Sequence, residues 1–119
     1  MTKYYTYILT NKNDKVLYTG MTDNICRRVL KHKLKIHEGF TCRYNVDKLV
    51  YFEVFDTYEE AAGREKQIKA GSRKKKLSLI SKFNPNWHDL FEEISQDSQY
   101  GNEISSCTIT MRKEIASRR

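Results

Sequence analysis

Aromatic and β-branched residues near the N-terminus form two short segments around a polar turn. Residues 4–10, YYTYILT, and residues 16–20, VLYTG, are separated by the polar run 11–14. If the two segments pair antiparallel around that turn, Tyr7 lies opposite Tyr18 and both rings point to the same face. The pattern therefore predicts a β-hairpin with two phenols on one side.

A helix is predicted directly after the hairpin. Thr22 or Asp23 can cap its N-terminus, and a helical period continues to about residue 35. Arg28 and His32 are one turn apart, so they share a face of this helix. Residues 36–47 are predicted to form a loop. The predicted buried stripe of the helix consists of Ile25, Cys26, Val29, Leu30 and Leu34.

One further strand follows, and then a helix with clear start and stop signals. Residues 48–55, KLVYFEVF, are apolar on both faces apart from Glu53, as expected of a central strand. Thr57 and Glu60 form a capping box, and the helix that they open is predicted to end at Gly71. Its predicted buried stripe consists of Tyr58, Ala61, Ala62 and Ile68.

Two more helices are predicted before residue 95. Ser72 caps the first, which carries RKKK in its opening turns, and Pro85 suits the first turn of the second. The first is predicted to bury Leu77, Leu79 or Ile80, and Phe83. The second is predicted to bury Trp87, Leu90, Phe91 and Ile94.

The order of these elements predicts an α+β fold with a small three-stranded sheet, antiparallel or mixed, flanked by helices. Residues 1–95 are expected to form one domain. Residues 96–119 have no sustained apolar period and few large hydrophobic side chains, so we expect a poorly ordered tail.

Composition narrows the choice of partner and compartment. The chain has 119 residues and a formal net charge of +7, which favours a polyanionic partner, nucleic acid before membrane.

The chain contains three cysteines, Cys26, Cys42 and Cys107. They form no CxxC motif, and we expect reduced thiols in a cytoplasmic protein. Cys26, His32 and Cys42 match no zinc-ligand spacing. No signal peptide or apolar run of membrane length is present, so no membrane association is expected.

Glu65 falls within the predicted buried stripe of its helix, where a carboxylate needs a partner. An ion pair with Arg64 or a lysine, or partial exposure of the carboxylate to solvent, would satisfy it. A hard cation such as Mg²⁺, which commonly uses one or two protein carboxylates and several waters, would also satisfy it. Tyr7 and Tyr18 have two interpretations as well, because facing tyrosine rings in strands are more often core residues than catalytic groups.

The spacing of these residues resembles that of the GIY-YIG nuclease superfamily, in particular its compact stand-alone bacterial form. The matching pieces are YTY at 5–7, YTG at 18–20, Arg28 ten residues after Tyr18, and His32 four residues later. REKQIK at 64–69 and FNPNWHDL at 83–90 extend the resemblance over roughly residues 3–94.

The resemblance implies hydrolysis of a DNA phosphodiester with one Mg²⁺ or Mn²⁺, in DNA repair or recombination. By the same resemblance, Tyr7 assists the attacking water, Tyr18 supports Tyr7, Arg28 stabilises the developing charge, His32 is a candidate proton relay and Glu65 binds the metal. Met21 departs from the pattern, since the repair-incision branch has a lysine there. Asn84 or Asn86 could correspond to a polar residue found in some branches.

A basic surface is expected to contact DNA phosphates without strong sequence specificity. Its predicted members are Arg27, Lys31, Lys35, Lys69, Arg73, Lys74, Lys75 and Lys76. A solvated charged face without a ligand would have the same composition. Two other functions therefore stay open: a DNA-binding module on the same fold without catalysis, and an interaction protein that docks through its tail.

Overall fold

The computed structural model of the protein describes residues 2–35 and 39–96, and these contain three strands and five helices. In chain order they are β1 (Tyr4–Thr10), β2 (Leu17–Thr22), α1 (Ile25–Lys33), α2 (Phe40–Arg43), β3 (Lys48–Phe55), α3 (Tyr58–Ala70), α4 (Arg73–Phe83) and α5 (Phe91–Gln96). The α+β prediction is confirmed. The predicted tail lies, except for its first residue, outside the described residues, and so does Cys107.

The sheet is antiparallel throughout, in the order β2-β1-β3. The prediction that residues 48–55 form the central strand is therefore wrong, because β3 is at the edge and β1 is central. The sequence of β1 contains two polar residues, Thr6 and Thr10, and is therefore less apolar than is typical of a central strand. Thr6 Oγ1 donates to the carbonyl of Ala61 and Thr10 Oγ1 donates to the carbonyl of Val16, both at 2.8 Å. These bonds allow the polar side chains to be fully buried.

The two faces of β1 pack against different helices. Tyr5, Tyr7 and Leu9 point to the face that packs against α1 and α5. Ile8 points to the other face, where its apolar neighbours include Ile68 of α3 and Ile80 of α4. Because alternate residues of a strand point to opposite faces, β1 is buried from both sides and fixes both helical layers.

Helix α1 begins slightly later and ends earlier than predicted. Its N-cap is Asn24, whose side-chain oxygen accepts from the Arg27 amide at 3.1 Å, whereas Thr22 ends β2 and Asp23 lies between them. Lys33 is its last residue. Every residue of the predicted buried stripe is buried. The loop predicted over 36–47 contains the short helix α2, which has too few residues for a helical period.

The signals at the ends of α3 and α4 are confirmed. Thr57 Oγ1 accepts from the Glu60 amide, Gly71 follows α3, and Ser72 Oγ accepts from the Lys75 amide at the start of α4. The apolar stripes are only partly confirmed, since Tyr58 is 57% exposed and Phe83 is 47% exposed.

Segment 84–90 is not helical, so the predicted last helix is shorter than expected. Trp87 has a φ of 53° and packs on the α3–α4 side of the sheet, whereas Leu90, Phe91 and Ile94 pack with α1. Asn84 holds this segment against β3. Its amide nitrogen donates to the carbonyls of Val50 at 3.3 Å and His88 at 2.8 Å, and its oxygen accepts from the His88 amide at 3.2 Å.

No helix within residues 2–35 and 39–96 is long and apolar enough to cross a membrane.

Replacing Asn84 by alanine should lower the free energy of unfolding by about 1–3 kcal/mol, because it leaves the buried carbonyl of Val50 without this partner and removes two bonds to the backbone of His88. Urea denaturation followed by circular dichroism measures the change. Asn86 is exposed in the adjacent turn, so Asn86→Ala is the matched control and should be close to neutral. Equal effects in the two variants would contradict the structural role of Asn84.

Candidate active site

Tyr7 and Tyr18 lie on the same face of the β1–β2 hairpin, but not directly opposite each other. The register pairs Tyr7 with Gly20 and Leu9 with Tyr18, so the predicted Tyr7–Tyr18 pairing is wrong. The two tyrosines are diagonal neighbours, and their ring centroids are 6.4 Å apart. Diagonal pairs on one face remain within reach of aromatic side chains, so the phenols still meet.

Helix α1 places a guanidinium and an imidazole beside the Tyr7 hydroxyl. Arg28 Nε donates to Tyr7 Oη at 3.3 Å, and His32 Nε2 lies 3.4 Å from the same oxygen. The His32 ring is also 5.6 Å, between centroids, from the ring of Tyr18. The i, i+4 spacing of the helix residues is what aims both at one atom. These four predicted site residues are brought together by the fold.

The Tyr7 phenol is in an environment that keeps it neutral. Its side chain is fully buried, and burial raises its pKa to about 12, since a phenolate loses solvation there. The hydrogen bond from Arg28 opposes this rise, whereas the charges of Tyr18 and Glu65 add to it. In turn, the bond to Tyr7 raises the pKa of Arg28, which therefore keeps its charge.

Gly20 allows the Tyr7 ring to occupy this position. A Cβ at residue 20 would lie 2.6 Å from Tyr7 Oη and 3.1 Å from a ring carbon of Tyr18. Real Cβ atoms essentially never lie within 3.0 Å of such neighbours, so a side chain here would displace Tyr7. Close approach of a ring to the backbone, rather than a special backbone conformation, is the reason for glycine.

Glu65 comes from α3, and its charge acts on Tyr7. Its side chain is 22% exposed and forms an ion pair with Lys69 at 3.3 Å. Of the partners expected for this carboxylate, the structure therefore contains a lysine. Arg64 instead donates to Glu53 at 2.6 Å. Lys69 is 54% exposed, so this pair is in contact with solvent and contributes little to stability.

The predicted basic surface is largely accessible. Arg27, Lys35, Lys69, Arg73, Lys74 and Lys75 are exposed, and Lys31 and Lys76 are partly buried. Some of these side chains have protein partners: Lys69 pairs with Glu65, Lys35 donates to Asn45 Oδ1, and Arg73 donates to the carbonyl of Lys15 in the hairpin loop.

Helix α2 contributes site contacts that the sequence pattern did not indicate. Thr41 Oγ1 lies 3.0 Å from His32 Nδ1, and the Phe40 ring stacks on Tyr18 with centroids 6.5 Å apart. The contact between Thr41 and His32 joins two helices across a loop. No periodic pattern of residues in the sequence could therefore have indicated it. Within the described residues, Cys42 is a free thiol, and no group of three metal-ligating side chains is present.

Replacing Gly20 by alanine should lower the free energy of unfolding by about 1–3 kcal/mol, because the new methyl overlaps the Tyr7 ring. Gly63→Ala is the matched control. Gly63 is exposed in α3 with open space around its Cβ position, so alanine should raise stability by about 0.5–1 kcal/mol. Denaturant titration of both variants measures the difference, and a stable Gly20→Ala protein would contradict the close approach.

Relatives of known sequence cover most of the chain. UPF0213 protein SSP2268 of Staphylococcus saprophyticus is 46% identical over 81 residues, which are 68% of this chain and 98% of the relative. UPF0213 protein CPE1444 of Clostridium perfringens is 44% identical over 91 residues, 76% of this chain and 97% of the relative. The solution NMR structure of UPF0213 protein BH0048 from Bacillus halodurans is similar with a TM-score of 0.48 and 32% identity, covering 73% of this chain and 92% of that one.

The family model of the GIY-YIG catalytic domain matches residues 3–78, which include all five predicted catalytic residues. The match spans well over half of the chain. The protein therefore belongs to the GIY-YIG family, a family of nucleases.

Proposed function

We propose that the protein is a divalent-metal-dependent endonuclease that hydrolyses phosphodiester bonds of DNA. The observation that carries this proposal is the convergence of Arg28 and His32 on the hydroxyl of the buried Tyr7. A buried phenol contacted by a permanent cation and by an imidazole has both a charge to stabilise a phenolate and a group to take its proton. Membership of a nuclease family supports the same reaction.

Glu65 is the residue that would hold the metal. Mg²⁺ commonly binds one or two protein carboxylates and completes its octahedron with waters and substrate phosphates. A half-buried carboxylate whose lysine partner is more than half exposed fits such a site, and it needs no cluster of three protein ligands. A bound divalent ion would polarise the scissile phosphate and offset charge on the leaving oxygen.

The side chains around Tyr7 have distinct roles in this proposal. Tyr7 accepts the proton of the attacking water, and Tyr18 packs beside it. Arg28 stabilises negative charge, first on the phenolate and then on the phosphorane-like transition state, because its planar fork can donate to two oxygens together. His32 accepts the proton of the Tyr7 hydroxyl. A tyrosine with a pKa of about 12 is a poor base on its own, so these neighbours are required.

The basic surface supports DNA as the substrate. Accessible lysines and arginines contact phosphates irrespective of sequence and give salt-sensitive affinity. No specificity for a DNA sequence is proposed. The second candidate is a DNA-binding module without catalysis, which is favoured by the neutral phenol of Tyr7 and by methionine instead of lysine at position 21.

Replacing Glu65 by alanine or glutamine should abolish metal-dependent cleavage while leaving the fold and DNA binding in EDTA intact. Nicking of supercoiled plasmid and of branched DNA with Mg²⁺, Mn²⁺ or EDTA measures the activity. Glu59→Gln, at an exposed position near the start of the same helix, is the control and should cut normally. Unchanged cleavage by the Glu65 variants would reject the metal assignment. Binding without cleavage by the unmodified protein would favour the binding module.

Replacing Arg28 by alanine should lower kcat about 10²–10³-fold, or roughly 3–4 kcal/mol, as when one donor to transition-state charge is lost. Its exposed neighbour provides the contrast. Arg27→Ala should leave kcat unchanged, weaken DNA binding and reduce the salt dependence of that binding by about one counterion. Single-turnover cleavage and filter binding at several salt concentrations separate the two effects. A similar loss of kcat in both variants would argue against a special role for Arg28.

A further inference from the structure

The imidazole of His32 is held between two hydroxyl groups. Nδ1 lies 3.0 Å from Thr41 Oγ1, and Nε2 lies 3.4 Å from Tyr7 Oη. The His32 side chain is only 5% exposed. The hydrogen bond at one nitrogen of a neutral imidazole decides which nitrogen carries the proton, so contacts within the protein determine the tautomer here.

The contacts of the Tyr7 hydroxyl determine the direction of the chain of hydrogen bonds. Arg28 Nε can only donate, so Tyr7 Oη is an acceptor in that 3.3 Å contact. Tyr7 is fully buried, so its own proton cannot be given to bulk water. Among the described contacts of this oxygen, His32 Nε2 is the group that can accept. Nε2 accepts only when it carries no proton, and the ring proton of neutral His32 is then on Nδ1.

In that tautomer Nδ1–H points to Thr41, whose Oγ1 lies 3.0 Å away. We propose that Thr41 is a positioning residue: its hydroxyl accepts from His32 Nδ1–H and thereby keeps Nε2 unprotonated and aimed at Tyr7. Thr41 does not touch the substrate or the reacting atoms; it acts through His32. This inference rests on the proposed nuclease function for its catalytic consequence, but the tautomer exists whether or not the protein cuts DNA.

Contacts on both sides of Thr41 hold it beside His32. Its carbonyl accepts from the amide of the fully buried Val46 at 2.8 Å. Phe40, the preceding residue, stacks on Tyr18. Gly39 begins the turn with a φ of 127°, which residues with a Cβ rarely adopt. Helix α2 is therefore attached to the core through Val46 and to the site through Tyr18.

This arrangement allows a proton to move from Tyr7 to His32. The O–H bond of Tyr7 breaks and an N–H bond forms at His32 Nε2. The negative charge remains on the phenolate, where Arg28 donates to it, and the positive charge is on the imidazolium, whose Nδ1–H still donates to Thr41. The phenolate then takes a proton from the attacking water. In the opposite tautomer Nε2 already carries a proton, and this route is closed.

Long-range ¹H–¹⁵N NMR of the full-length, ¹⁵N-labelled protein reads the tautomer directly, since protonated and unprotonated ring nitrogens have distinct shifts. Spectra are recorded at about pH 8, where ordinary imidazoles are neutral, and His32→Gln identifies the His32 signals. We expect an unprotonated Nε2 and a protonated Nδ1 in the unmodified protein. A protonated Nε2 would overturn the proposal without any variant.

Two variants at Thr41 test the positioning role. Thr41→Val keeps the shape but cannot accept a hydrogen bond, so the second tautomer should appear and kcat should fall about 10–100-fold, the range found when a hydrogen bond that orients a metal-binding histidine is lost. Thr41→Ser keeps the hydroxyl and should restore both the tautomer and kcat. A Thr41→Val protein with an unchanged His32 tautomer would overturn the proposal. If that variant does not fold, the spectra of the unmodified and Thr41→Ser proteins still decide it.

A double variant tests whether Thr41 acts only through His32. In a His32→Gln background, Thr41→Val should cause no further loss of kcat, because Thr41 acts only through His32. A further loss would contradict the positioning role. If the unmodified protein shows the expected tautomer but cuts no DNA, the nuclease proposal fails and the hydrogen-bond chain from Thr41 to Arg28 is retained.

Discussion

The packing of the Tyr7 ring against the backbone at Gly20 is the contact on which the site depends. It allows the end of the Tyr7 ring to lie close to the neighbouring strand at a position that has no Cβ. The hydroxyl is thereby held at the point that α1 reaches with a guanidinium and an imidazole. Burial of the ring has an electrostatic result as well, because it raises the pKa of the phenol and makes its proton dependent on neighbouring groups.

Local signals predicted most of the elements. Thr57 and Ser72 cap their helices as their sequence context indicates, and the hydrophobic stripe of α1 is buried as its period requires. Such features depend on residues that are close in sequence, so the sequence contains them explicitly. The proximity of Tyr7, Arg28 and His32 was also predictable, because only one hairpin and one helix contain all three residues.

Long-range features were harder to predict. The burial of β1 at the centre of the sheet is compatible with its threonines because Thr6 donates to the distant carbonyl of Ala61 and Thr10 donates to that of Val16 across the hairpin. The register of the hairpin depends on turn geometry, and a different pairing changed the partner of Tyr7 without changing its face. Asn84 was a candidate for function, but its contacts with Val50 and His88 are structural. The role of Thr41 depends on a loop that returns to α1, and no spacing rule describes that.

The hydrogen bond from Thr6 to Ala61 also has a mechanical consequence. Thr6 and Tyr7 are consecutive residues of one strand, and they connect opposite layers of the protein: Thr6 anchors the helix that carries Glu65, and Tyr7 carries the phenol. A movement that separates Glu65 from the phenol therefore has to break a buried hydrogen bond or deform the central strand. The position of the carboxylate relative to the phenol is thus coupled to the packing of β1.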